Sequence, residues 1–197
     1  MKKQKIALIL NIILVILEVI GFSYELIKNH SIAFEYYTNL SNLFVLITSL
    51  LFIITYKKEK EIIKDLRLAA TSCLMITFLV VIFILTPMYD FNYKLLMFTG
   101  SFFIYHTACP IISIISYILF EEGSKKKYLG FVVTAIYSII MIILNIVGII
   151  SGPYPFLKVT EQSIVMSIIW AIIIVGGSYF IGLLLYLLNK KGKEANF

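Results

Sequence analysis

The stretch EYYTNLSNLFVLITSLLFIITY, residues 35–56, has no charged side chain from Tyr36 to Tyr56, yet its opening carries Thr38, Asn39, Ser41 and Asn42. No strict alternation of apolar and polar residues runs through it, so it does not read as a barrel strand. At ~1.5 Å per residue it is long enough to cross a hydrocarbon layer of ~30 Å as a helix. A helix satisfies its own backbone in lipid, which is the condition for spanning. The stretch therefore predicts a membrane helix that takes hydroxyls and amides in with it.

Working outward, comparable apolar runs cover roughly 6–24, 32–56, 68–87, 94–120, 128–151 and 162–188. The chain is 60% hydrophobic and 14% charged, with mean hydropathy +0.97; soluble domains are about 45–50% apolar and about 25% charged. The expectation is an all-α polytopic membrane protein: one domain, residues 1–197, folded as a bundle of six transmembrane helices. Six spans and their connections use the whole 197 residues, leaving no room for a soluble domain.

Fourteen of the 17 Lys and Arg residues fall on one side of this topology. They are Lys2, Lys3 and Lys5, then Lys57, Lys58, Lys60, Lys64 and Arg67, then Lys125, Lys126 and Lys127, and finally Lys190, Lys191 and Lys193. Lys28, Lys94 and Lys158 fall on the other. The positive-inside rule puts both termini in the cytoplasm. The net charge of +6 then reads as a topology signal and an attraction to membrane lipids, without the aromatic-interleaved basic groove that nucleic acid needs. The first run follows three lysines as a signal peptide would, but it has no small-x-small cleavage site, carries Glu18, and is needed for an even number of spans. It is expected to be retained.

Cys73 and Cys109 lie within spans and read as packing thiols rather than a disulfide framework. No HExxH, CxxC or glycine-rich phosphate loop is present, so neither a metal nor a cofactor is expected. Ionisable groups in hydrocarbon are costly and mark function by default. Measured from the basic end at ~1.5 Å per residue, Glu18 lies ~20 Å up, His106 ~21 Å, Asn145 ~25 Å and Thr38 ~27 Å. Four spans thus offer a carboxylate, an imidazole, an amide and a hydroxyl at similar depth, with the loop GPYPFL (152–157) expected above them. Each also has a packing explanation: Ser and Thr bond the carbonyl one turn back, Asn joins helices, and a protonated Glu can do the same.

A hydroxyl becomes a nucleophile when a base takes its proton, and neutral imidazole is the usual base near pH 7. Thr38 as nucleophile, His106 as base, and Asn42 or Tyr105 donating to an oxyanion would make a site for acyl esters. Cys109, three residues after His106 and on nearly the same helical face, is the alternative nucleophile.

Three segments resemble one family: YYTNLSNL opening the second span, YHTACPIISIISYILF in the fourth, and YPFL before the last. Through them the chain is similar to a small bacterial member of the androgen-induced protein family, six-helix membrane proteins whose animal members hydrolyse fatty acid esters of hydroxy fatty acids. The resemblance runs over almost the whole chain. It implies Thr38 as nucleophile and His106 as base, a lipid acyl ester as substrate, and a place in the bacterial plasma membrane; it assigns no chemical duty to Tyr154–Leu157. Glu18, Asn42, Tyr105 and Asn145 are the supporting candidates. The alternative is a six-helix membrane protein that binds or transports a small lipophilic ligand without turnover.

Overall fold

The computed structural model describes residues 2–58 and 60–194; among them, the side chains of Lys2, Lys193 and Glu194 are left out. Lys2 and Lys193, two of the lysines behind the expected orientation, thus have side chains outside the described set. All regular structure among the described residues is helical. The elements are α1 (Lys2–Asn29), α2 (Tyr37–Thr55), α3 (Glu61–Met88), the short α4 (Tyr93–Phe98), α5 (Ser101–Leu119), α6 (Leu129–Ile146) and α7 (Ile164–Gly192). All but α4 are long and apolar enough to cross a membrane, which marks the chain as an integral membrane protein.

α3 is the axis. Every residue from Leu68 to Leu74 is buried, and a buried run of that length covers all faces of a helix. The run is dominated by small side chains (Ala69, Ala70, Thr71, Ser72, Cys73), which let neighbours close in from several sides. α3 packs against α2, α5, α6 and α7, while α1 closes the gap between α2 and α5. At the crossing of α3 and α6, a Cβ on Gly130 would collide with the Ser72 side chain, so the closest approach needs glycine. The first eight residues of α7, Ile164–Ala171, bury nothing and leave an isoleucine-rich surface to the lipid.

Two expected boundaries differ. The run 94–120 is not one helix: α4 ends at Phe98 and the chain turns at Gly100 with φ +56°, a conformation that favours glycine, under the ring of Tyr24. α3 begins at Glu61 rather than 68, because the charges in its first turns have partners. Arg67, expected as a loop charge, is buried in α3. It donates through Nε and Nη2 to both Glu121 oxygens at 2.9 Å and through Nη1 to Ser49 at 3.0 Å. Asn11 and Ser116 also donate to Glu121, at 2.9 and 2.6 Å, tying α1, α2, α3 and α5 at the basic end. Nearby, Asp65 takes Lys126 at 2.6 Å and Ser124 at 2.5 Å, holding the α5–α6 connection.

The prolines shape α3 and α5 in the same way. Proline has no N–H and its ring displaces the carbonyl four residues back. Before Pro87 and before Pro110 the helix widens into one π-turn, Val81–Leu85 and Ile104–Ala108. His106 sits inside the second of these turns. At Pro110 the proline thus produces a bulge placed at the histidine itself.

Candidate functional site

Thr38 stands in the first turn of α2, at the end of the bundle away from the basic loops. Its neighbour is Tyr154, carried in by the α6–α7 loop. The Thr38 N–H donates to the Tyr154 phenol oxygen at 3.2 Å, and the two hydroxyls lie 3.3 Å apart. No side chain from α2 caps this helix, so Tyr154 takes one of its free N–H groups from across the bundle. The expected position of the GPYPFL loop over Thr38 is thus what the geometry shows. Burial pushes the Tyr154 phenol above its ordinary pKa, keeping it a protonated donor. Its ring stacks on Phe156 at 5.1 Å, and Phe156 leans on Trp170 of α7 at 5.6 Å.

Thr38 and Tyr154 form part of the wall of a cavity with about 650 Å³ of free space, counted to its open side. Most of that wall is apolar: Ile76, Val80 and Leu85 from α3, Ile142 from α6, Trp170 and Ile174 from α7. Hydroxyls of Thr38, Thr77, Thr134, Ser138 and Tyr154 stand in it as a minority. Along α7 beyond the cavity wall, a Cβ on Gly176 or Gly177 would meet nothing within 4 Å. The cavity lining has the character small-molecule sites require, apolar with a few placed polar groups.

His106 is buried on α5 in a different setting. Its Nδ1 lies 2.6 Å from the Leu96 carbonyl of α4, and its ring stacks on Phe102 at 5.1 Å. A carbonyl only accepts, so Nδ1 carries the proton and Nε2 presents a lone pair, the form a general base needs. The break at Gly100 makes this possible by folding α4 back so that Leu96 reaches the ring. Among the described residues no hydrogen bond joins His106 to Thr38, and His106 is not in the cavity wall.

The supporting candidates separate as well. Asn145 does not reach the cavity wall: it clasps the α6–α7 loop, donating to Ile150 at 3.2 Å and accepting from the Thr160 N–H at 3.3 Å. Asn145 is the penultimate residue of α6, which is where a loop clasp belongs. Asn42 donates to the Thr38 carbonyl at 2.7 Å, so it is coupled to Thr38 through backbone rather than facing its hydroxyl. Glu18 and Tyr105 are fully buried between α1 and α5 and do not line the cavity. Cys109 lies against Glu18, not in the cavity. The four groups expected in one layer thus occupy at least three places, because depth fixes height along a helix but not azimuth around it.

Tyr154 is the participant that residue chemistry alone left without a duty, although YPFL had been singled out. Its signal was an aromatic hydroxyl in the loop facing the start of α2. Glu25 is another: it accepts from Ser101 at 3.3 Å and Asn39 at 3.4 Å, clamping α1 to α2 and α5. No family model, curated protein or solved structure matches this chain.

Proposed function

We propose that the chain takes a lipid acyl ester, such as a fatty acid ester of a hydroxy fatty acid, into the cavity between α3, α6 and α7 and hydrolyses it. The observation that carries this reading is the placement of the Thr38 hydroxyl in the wall of a mainly apolar cavity between α3, α6 and α7. The acyl chain lies against Ile142, Trp170 and Ile174, and the ester carbonyl meets Thr38 and Tyr154. Thr38 Oγ1 attacks the carbonyl carbon as its proton passes to His106 Nε2, while the Tyr154 O–H donates to the developing oxyanion. The alkoxide leaves with the proton from the imidazolium, and water then releases the fatty acid from the acyl-threonine by the same route. Chemistry requires Nε2 within hydrogen-bond reach of Oγ1, directly or through one water, in the substrate complex.

A second reading, an acyl-lipid binding protein without turnover, is favoured by one observation: the Thr38 hydroxyl bonds Tyr154 while His106 shares no bond with it. Both readings predict that a brominated acyl lipid quenches the fluorescence of Trp170, the single tryptophan, which lines the cavity. Only the hydrolase predicts that long-chain acyl esters are cleaved, that a fluorophosphonate labels wild type, and that Thr38→Ala and His106→Ala each lower turnover by about 10³-fold or more, with the double variant scarcely worse. Quenching without cleavage establishes the second reading; neither signal sinks both.

The same proposal places the protein in a bacterial plasma membrane with both termini cytoplasmic, supported by the 14 to 3 distribution of basic residues. Cys73 and Cys109 are buried, so cysteines introduced as Lys60→Cys and Lys158→Cys are readable with an impermeant thiol reagent. Only Lys158→Cys is labelled in intact cells; labelling of Lys60→Cys instead inverts the orientation.

A further inference from the structure

Outside the cavity, the described residues hold a second concentration of polar groups, and nearly all of its members are without partners. Both Glu18 carboxylate oxygens, Asn42 Oδ1 and the Tyr105 hydroxyl are buried without a nitrogen or oxygen hydrogen-bond partner in the protein, and only the Cys109 thiol lies against the Glu18 carboxyl. Each of the three residues is 0% exposed. They come from three helices, and helix register brings them to one level. Along α1 and α5, Asn11 meets Ser116 at 3.3 Å, Glu25 meets Ser101, and Gly21 faces the Tyr105 ring. These pairings step in opposite directions along antiparallel helices, so Glu18 falls opposite Cys109, and the Cys109 thiol indeed lies against its carboxyl. Along α1 and α2, Leu14 and Val45 share one apolar cluster while Glu25 meets Asn39. Glu18, one turn beyond Leu14, is therefore level with Asn42, about one turn before Val45. Tyr105 is one turn from Cys109 on the same side of α5 and belongs to that cluster too.

The surplus is one of acceptors. Asn42 Nδ2 is spent on the Thr38 carbonyl, which leaves its oxygen as the free atom. Glu18 brings two acceptor oxygens, and the donors at this level are one phenol and one thiol. A buried carboxylate also needs its charge cancelled. Among the described residues, those packed at this level bring no cation: α3 contributes Ala70 and Leu74, α2 contributes Asn42 and Val45, α5 contributes Tyr105 and Cys109, and the next acidic group along α1 is Glu25, itself bound to Ser101 and Asn39. A proton on Glu18 would cancel the charge but supply a single donor. Water would supply donors but leave the charge. A small monovalent cation answers both needs, accepting lone pairs from the carboxylate, the amide oxygen and the phenol oxygen. A divalent ion would be left with excess charge beside a single carboxylate.

We propose that Glu18, Asn42 and Tyr105 form a sodium site between α1, α2 and α5. The ion ties the three helices together one turn below Thr38, and Asn42 connects it to the Thr38 carbonyl.

The test is thermal unfolding of the purified full-length protein in detergent, titrated with NaCl against choline chloride at constant ionic strength. Sodium raises Tm by about 5 °C when roughly hundredfold above half-saturation. Potassium is weaker, and choline is without effect. Glu18→Gln keeps the shape, removes the charge and abolishes the sodium response. Should that variant fail to fold, Tyr105→Phe removes one oxygen ligand and raises the half-saturating concentration severalfold. A wild type equally stable in sodium and choline overturns the site, as does stabilisation that sodium, potassium and choline share, or a sodium response that survives Glu18→Gln. The readout is stability, so it stands apart from whether any ester is cleaved.

Discussion

Replacing Arg67 by Met tests how the basic end of the bundle is held. In wild type Glu121 receives four hydrogen bonds: two from Arg67 at 2.9 Å, one from Asn11 at 2.9 Å and one from Ser116 at 2.6 Å. Both side chains of the ion pair are 1% exposed, although a cleft lined by Gln4, Tyr56 and Lys60 opens beside them, so solvent scarcely screens the pair. Arg67→Met leaves a buried carboxylate with two neutral donors, and breaking a buried pair in this way costs about 3–5 kcal/mol. Two charge-assisted bonds at about 1.5–3 kcal/mol each give the same range. For a chain of this size about 2–4 °C of Tm accompanies each kcal/mol, so thermal unfolding in detergent moves down by about 6–20 °C. Glu121→Gln produces a similar loss, since it strands the guanidinium and turns an amide N–H₂ toward its donors. The double variant Arg67→Met with Glu121→Leu removes both charges and recovers most of the loss, giving a large coupling energy in the cycle. Single variants within about 1 °C of wild type, or a double variant as damaged as the sum of the singles, would refute the description of this end as an ionic clamp.

Other outcomes follow from single contacts. Tyr154→Phe removes the acceptor for the Thr38 N–H and lowers stability by about 0.5–1.5 kcal/mol, read as a drop in Tm, while raising the concentration of brominated acyl lipid needed to quench Trp170. Because burial raises the Tyr154 pKa above 10.0, the stability it contributes is complete below pH 10 and is lost as pH rises through the folded value; alkaline unfolding of Tyr154→Phe lacks that component. Gly100→Ala forces a side chain into φ +56° against the Tyr24 ring and costs about 1 kcal/mol or more in thermal unfolding, with loss of the α4 contact to His106 seen as altered histidine NMR shifts. Gly130→Val drives α3 and α6 apart at Ser72 and lowers Tm by several degrees, whereas Gly177→Ala, in open space, does not.

The six spans were legible because lipid demands length and apolarity, both of which a sequence states outright. The break at Gly100 was less so: Thr99 and Gly100 interrupt an apolar run that hydropathy averages over, and only the backbone angle shows the turn. Arg67 read as a loop charge because its partner, Glu121, is 54 residues away. Thr38 was legible as a hydroxyl carried into the start of a span, which the structure places in a cavity wall. Its companion was not, because the sequence gives height along each span and no rotation about it. Glu18 and His106 share a height, yet one faces Cys109 and the other the Leu96 carbonyl.

The hydroxyls and amides that open α2 have a physical reason beyond any one site. Lipid tails offer no hydrophobic drive for helix association, so packing and interhelical hydrogen bonds must fix which neighbour stands where. The first two turns of α2 distribute that task around the helix. Thr38 takes Tyr154 from the far loop, Asn39 takes Glu25 of α1, Ser41 takes Thr77 of α3 at 2.9 Å, and Asn42 turns back to the Thr38 carbonyl. Tyr37 completes the circle by meeting Thr134 of α6 at 2.8 Å. Five of the six positions from Tyr37 to Asn42 thus orient α2 against three helices and a loop. Of these anchors, the Asn42 oxygen remains without a partner in the protein, and the Thr38 hydroxyl is bound to another residue of the cavity wall. The free Asn42 acceptor and the Thr38 hydroxyl in the cavity wall are why the ion and the ligand are sought at these two positions of α2 and not at Asn39 or Ser41.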